Sequence, residues 1–158
     1  RNARGREVFL TPRHTKAVLP YAEKYADILV AVLHGTSIRA AIDANDSEGS
    51  IRRMAQSSAP DPMVACYIDS SFPAMLVFAY RYADSLEQSI LASANAGGEN
   101  VARGALLGAL LGAQHGMSAF PAWTHELKNH DAVLAEIDQL VALSVANEGA
   151  TTMAAQDL

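Results

Sequence analysis

The sequence predicts an all-α fold, a helical bundle, on three observations. Apolar residues recur at helical spacing in segment after segment. No two segments alternate well enough to pair as strands, and breaks bearing glycine and proline cut the chain into helix-length pieces. Half of the 158 residues are hydrophobic and only 18% are charged. A chain of this length and composition makes one domain with a sizeable core instead of staying disordered.

From Lys16 to Leu33 the apolar residues Ala17, Val18, Tyr21, Tyr25, Ile28, Leu29 and Val32 line one helical face, with Thr15 placed to cap its start and His34-Gly35 to end it. Ser37 then caps a short helix through Ile38, Ala41 and Ile42, and a third spans about Ser47 to Gln56. Ser57 to Pro62 reads as a loop, because proline lacks a donor and pushes its predecessor out of the helical region. Met63 to Ile68 lacks a strand partner and is left as helix or extended loop. Phe72 to Tyr82, with Ser71 as its cap, is apolar nearly all round, as a helix in the middle of a bundle must be.

Asp84 or Ser85 caps the next helix, Leu86 to Asn95, and Gly97-Gly98 breaks it. Asn100 is then placed to cap a long helix reaching about His115. Gly104, Gly108, Gly112 and Gly116, with Ala105, Ala109 and Ala113 alongside, form a stripe of small residues on it. Such a stripe lets a neighbouring backbone approach closely, which predicts the central helix. Pro121 opens a short helix with Trp123 and Leu127, and Trp123 and Phe120 are expected to anchor the last helix. That helix begins at Asp131, with Val133, Leu134, Ile137, Leu140, Val141 and Leu143 on its apolar face. In domain terms, residues 1–14 are expected as an extension or linker, 15–146 as the helical domain and 147–158 as a flexible tail.

Twelve basic against seventeen acidic residues give a net charge of −5, the wrong sign for wrapping nucleic acid or lying on an anionic membrane, with a local basic patch at Arg1, Arg4 and Arg6 left open as an exception. The longest uncharged stretch, Gly104 to Thr124, is interrupted by glycines, Gln114, His115 and Pro121, so no membrane span is expected. Cys66 is the single cysteine, which excludes an intrachain disulfide and a cysteine zinc site and fits the cytoplasm or another reducing compartment. Flanked by Ala65 and Tyr67, it is expected to be buried and inert. The chain starts at Arg1 without a secretory pattern, so it is expected to be a processed product or part of a longer protein.

The stretch that carries chemistry is Ser93 to Gly104. A helix ends, two glycines turn the chain, and a new helix begins at once, so its first N–H groups are free to hold a phosphate or another anion. Glu99 at this turn can bind a hard cation or orient a hydroxyl, or it can simply favour the helix start electrostatically. Asn100 can serve either ligand. Arg103 can neutralise a diphosphate or, as the simpler reading, pair with Glu99 one turn earlier. Of the histidines His14, His34, His115, His125 and His130, no two have metal-ligand spacing of the His-x3-His kind. The acids Asp43, Asp46 and Glu48 read as a polar surface turn.

The order of these features resembles a family. An apolar helix Phe72-Pro73-Ala74-Met75-Leu76-Val77-Phe78-Ala79-Tyr80 is followed by a Ser-Leu-Glu-Gln-Ser-Ile helix and an Asn-Ala-Gly-Gly-acid turn. Gly-Ala-Leu-Leu-Gly-Ala-Leu-Leu-Gly-Ala and a downstream Pro-Ala-Trp come next. The series is similar to the C-terminal half of the ADP-ribosylglycohydrolase family, which also contains a lens crystallin recruited from such an enzyme. It covers Thr15 to Leu143 and is strongest from Cys66 to Trp123.

The resemblance implies an all-α fold that binds ADP-ribose in a cleft with two divalent ions, Mg2+ or Mn2+, and cleaves the N- or O-glycosidic bond to the ribose. The family turn runs Gly-Gly-Asp-x-Asp-Thr, and here Gly97, Gly98, Glu99, Asn100, Val101 and Ala102 stand in its place. Val101 and Ala102 carry no metal-binding oxygen on their side chains, and the family's Thr-Asp-Asp cluster from the start of a longer chain has no counterpart. Glu99 is therefore the candidate catalytic and metal residue, and Gly97, Gly98, Asn100 and Arg103 are the candidate ligand-binding residues. The expectation is an ADP-ribosylglycohydrolase-like domain with an incomplete hydrolytic centre, a binding or structural module in a larger assembly. The alternative is the C-terminal portion of an active, metal-dependent hydrolase. The implied partners are ADP-ribose or an ADP-ribosylated substrate, and a protein partner or a missing N-terminal half; a third reading is a purely structural subunit.

Overall fold

The computed structural model describes residues 16–156, with side chains through Ser144; Thr15, His14 and the 1–14 extension lie outside them. The chain forms two compact units, one ending at Phe120 and one starting at Pro121. The all-α expectation holds. Among the described residues there are seven α-helices, three short 3-10 turns and no strand. No helix among them is long and apolar enough to cross a membrane.

Helix α1, Leu19–Leu33, follows a 3-10 turn at Lys16–Val18 and buries Ile28 and Val32. Pro20 is tolerated because the first helical turn has no internal acceptor for its missing N–H. Gly35, at φ +90°, ends the helix as expected, donating its N–H to the Val32 carbonyl. Ser37 caps α2, Ile38–Asn45, its Oγ accepting from the Ala40 amide at 3.3 Å. Helix α3 is shorter than expected, Ser50–Gln56, because Asp46-Ser47-Glu48-Gly49 first makes a turn with Gly49 at φ +65°. Asp46 then takes the cap, accepting from the Ile51 amide at 2.7 Å and the Ser50 hydroxyl at 3.1 Å. Asp43 accepts from the Tyr80 hydroxyl and faces Arg52, so two of the acids in this polar turn have structural work.

Met63 to Tyr67 is extended loop. The loop preceding it is stapled by Arg81, whose guanidinium meets Asp61 at 2.6 Å and the carbonyls of Ala55 and Met54; Tyr82 donates to the other Asp61 oxygen at 2.8 Å. Helix α4 spans Ile68–Arg81 and buries Phe72 and every residue from Ala74 to Tyr80, which confirms it as the helix in the middle. It starts earlier than expected. The Tyr67 carbonyl already accepts from the amides of Ser70 and Ser71, so Ser71 lies inside the first turn and is not the cap.

Ser85, rather than Asp84, caps α5, Leu86–Asn95, through the Gln88 amide at 3.2 Å. Asp84 instead receives both ends of the Arg39 guanidinium, at 2.8 and 2.7 Å, and this bidentate contact holds its carboxyl below the usual range. Helix α6, Val101–His115, packs through Leu107, Leu110 and Leu111, all fully buried. Near its end the Gln114 carboxamide accepts from the Ile38 amide at 2.7 Å and donates to the Ala83 carbonyl at 2.8 Å. It thereby joins the start of α2 to the turn after α4.

The glycine stripe does not do what its pattern suggested. Among the described residues, a Cβ built on Gly104 or Gly108 would meet nothing within 4 Å, and one on Gly112 would only touch the Phe120 ring at 3.6 Å. Leucines, not glycines, make the close contacts of α6 within this unit. Phe120 accordingly rests on α6.

In the second unit a 3-10 turn at Ala122–Glu126 follows Pro121, and α7 spans His130–Gln156, with its backbone helical beyond Asn147, where a tail was expected. The apolar residues Val133, Ile137, Leu140, Val141 and Leu143 of α7 stand exposed.

Two outcomes follow from these contacts. Gly104→Ala and Gly108→Ala should each stabilise the protein by about 0.5–1 kcal/mol, since alanine has the better helix propensity and space is open; a raised urea midpoint at constant slope is the check. Burial pushes the Tyr25 hydroxyl up to about 12 from 10, where it donates to the Leu106 carbonyl at 2.9 Å. The unfolded chain then loses this proton before the folded one, so that part of the stability is complete below the unfolded pKa and is lost as pH rises through the folded one. Melting curves from about pH 8 to about pH 11.5 should fall less steeply in Tyr25→Phe than in the unaltered protein.

Candidate functional site

The turn between α5 and α6 is built as the sequence suggested, from two glycines in the left-handed region, Gly97 at φ +76° and Gly98 at φ +72°. Gly98 is also required by space. A Cβ there would collide with the Val64 carbonyl, which crosses the turn and accepts from the Glu99 amide at 3.0 Å. Met63 lies against Gly97 with its sulfur 3.7 Å from where a Cβ would stand. The extended Met63–Tyr67 segment, left open by the sequence, is thus a wall of the candidate site.

The roles at the start of α6 are redistributed relative to expectation. Asn100 occupies the cap position without capping. Glu99 caps instead, one carboxylate oxygen accepting from the Ala102 amide at 2.9 Å and the other from the Arg103 amide at 3.1 Å. A carboxylate on these two amides satisfies two of the orphan donors of the helix and meets its positive end. Both oxygens of the candidate metal ligand are therefore engaged by this chain's own backbone.

Arg103 does not pair with Glu99. Its side chain turns inward and is 2% exposed. Nε donates to Ser93 Oγ at 2.8 Å, while one terminal nitrogen donates to the carbonyls of Ser93 and Gly97 at 2.7 and 2.8 Å and to Asn100 Oδ1 at 2.6 Å. The other terminal nitrogen is buried with no hydrogen-bond partner among the described residues, and the guanidinium carbon sits 5.1 Å from the centre of the Phe78 ring. A ring face attracts a cation and partly offsets that missing bond. Burial lowers the Arg103 pKa, with the charge of Glu99 acting in the opposite direction. The guanidinium is thus a pin under the turn, with its donors directed to the end of α5 and to Asn100.

The structure therefore brings Gly97, Gly98, Glu99, Asn100 and Arg103 together; it adds Val64 and Phe78, which the sequence reading missed, and gives a role to Ser93, which that reading placed in the stretch without one. Ser93 carried a signal: with Ser89 it forms a pair four residues apart, and both are buried. At the start of α6, Val101 is 87% exposed and Ala102 is exposed. Cys66, expected to be buried, is exposed on the wall segment. His115 and His34 bond backbone carbonyls, and His125 and His130 lie 4.7 Å apart in the second unit. Among the described residues no group of three or more histidine, cysteine or acidic side chains could hold a metal ion.

A family model described as ADP-ribosylglycohydrolase matches residues 8–150. No curated protein and no solved structure matches the chain.

That family is generally metal-dependent, and the described residues at the turn do not fit a divalent ion. A hard cation asks for several oxygen ligands. Here the one carboxylate is held by two amides, the next two side chains are hydrocarbon, and a fixed cation lies beneath.

Gly98→Ala should destabilise the protein by about 2–4 kcal/mol, from the collision with Val64 and the left-handed backbone together. Arg103→Lys keeps the charge but loses the fork, at a cost of about 2–3 kcal/mol. Urea unfolding measures both, and a loss below about 1 kcal/mol in Arg103→Lys would show that the pin is not a major support.

Proposed function

Because the chain belongs to the ADP-ribosylglycohydrolase family, a family that acts on ADP-ribosylated substrates, we propose that it is a domain of that kind whose own hydrolytic centre is incomplete. It serves as a structural or binding module of the fold and works within a larger assembly. The observation that carries this reading is the commitment of Glu99. Its two oxygens close the first turn of α6 at 2.9 and 3.1 Å, and the arginine at the same turn faces inward.

The charges that a metal-bound nucleotide would neutralise are balanced from within. The helix start has its anion in Glu99, and the acceptors at the end of α5 have their cation in Arg103. For metal hydrolysis, Glu99 would have to leave the amides and meet further oxygen ligands, which Val101 and Ala102 do not offer.

The decisive experiment combines titration calorimetry with an assay for release of ADP-ribose. The expected outcome is no Mg2+ or Mn2+ binding at the turn, no metal-dependent release, and a stability loss of about 1 kcal/mol in Glu99→Gln, the usual size for a weakened cap. Metal-dependent release of ADP-ribose by the unaltered chain, abolished in Glu99→Gln, would overturn the proposal and favour the active-hydrolase reading.

A further inference from the structure

At the far end of α6 from the Gly97-Gly98 turn, a cleft of about 370 Å³ opens between α1, α2, α6 and the turn after α4. The 15 residues of α6 separate the two places, about 20 Å at a rise of about 1.5 Å per residue. The walls of the cleft are fixed. The Gln114 carboxamide ties the first amide of α2 to the Ala83 carbonyl, and His115 Nε2 lies on that same carbonyl at 2.7 Å. Gly35 leaves the mouth open, since a Cβ there would meet nothing within 4 Å among the described residues. Small-ligand sites span about 300–1,000 Å³, and this one lies at the small end of that range.

The cleft presents a cation and an anion side by side. Arg39 reaches both Asp84 oxygens at 2.8 and 2.7 Å, and its Nε donates to the Tyr80 carbonyl at 3.0 Å. Three of the five N–H donors of the guanidinium are thus engaged by described residues, and each Asp84 oxygen keeps a lone pair on a side chain that is 80% exposed. The two charges cancel, and the negative ends of the α1 and α6 dipoles line the same cleft, so a nucleotide or another multiply charged anion finds no attraction there. A simple cation would answer Asp84 alone and a simple anion Arg39 alone, whereas a small zwitterion answers both without opening the pair. Val32, Leu33 and Ala113 add hydrocarbon to the lining. We infer that this cleft binds a free α-amino acid with an aliphatic side chain, its carboxylate on the outer N–H groups of Arg39, its ammonium on Asp84 and its side chain against Val32, Leu33 and Ala113. The site is separate from the Gly97-Gly98 turn and does not depend on the functional reading above.

Titration calorimetry of the full chain with L-leucine is the test, with leucinamide and N-acetylleucine as probes that each lack one of the two charges. L-leucine should saturate a single site below about 10 mM. Either capped form should bind at least about tenfold more weakly, the size of one lost charged hydrogen bond. Asp84→Asn removes the anion at constant shape, and Thr36→Trp fills the mouth from an exposed lining position while leaving the pair in place. Each should weaken L-leucine binding at least about tenfold as well, with circular dichroism confirming the fold. No saturation by L-leucine, equal binding of a capped form, or unchanged affinity in either folded variant would overturn the inference.

Discussion

The buried guanidinium of Arg103 is the contact on which the end of α5, the two-glycine turn and the start of α6 all depend. Its donors reach Ser93, Gly97 and Asn100, three points that the chain must bring within a few ångströms to reverse direction. Taking such a cation out of water costs several kcal/mol, and no carboxylate among the described residues bonds its side chain. Neutral oxygens and the Phe78 ring offset that cost. Hydrogen bonds to a charged donor contribute about 1.5–3 kcal/mol each, so the balance is favourable only while the acceptors keep their places. The turn holds the arginine, and the arginine holds the turn.

Glu99 completes the arrangement from the outside. Its carboxylate closes the first turn of α6, and its amide binds the Val64 carbonyl, fastening the wall segment to the same point. The family resemblance was carried by a pattern of glycines and an acid, and that pattern is preserved as geometry. The acid of that pattern satisfies a helix end.

What was legible in the sequence was mostly local. Ser37 and Ser85 as caps, Gly35 as a stop and Gly97-Gly98 as a turn each follow from the conformational needs of one residue, and the all-round apolar Phe72–Tyr82 run gave away its burial. What was not legible depended on who arrives from elsewhere. Glu99 and Arg103 have the spacing of an exposed ion pair, and only the approach of Ser93 and Phe78 decides that the arginine turns in. The glycine stripe specifies a thin surface without saying whether anything lies on it. Cys66 looked internal from its neighbours, yet the Arg81–Asp61 staple and the Val64 contact fix the segment around it as an outer wall.

Gln114 shows how such a molecule distributes its cooperativity. Its amide accepts from the first N–H of α2 and donates to a carbonyl just past α4. Helix termini are ordinarily the places where a structure frays piecemeal. Here one planar group spans two of them, so loosening either end strips the other of its partner. The breathing of α2 and of the α4–α5 turn is thereby made a single event, and the lower limit on how small an opening can be is set by a side chain that belongs to neither.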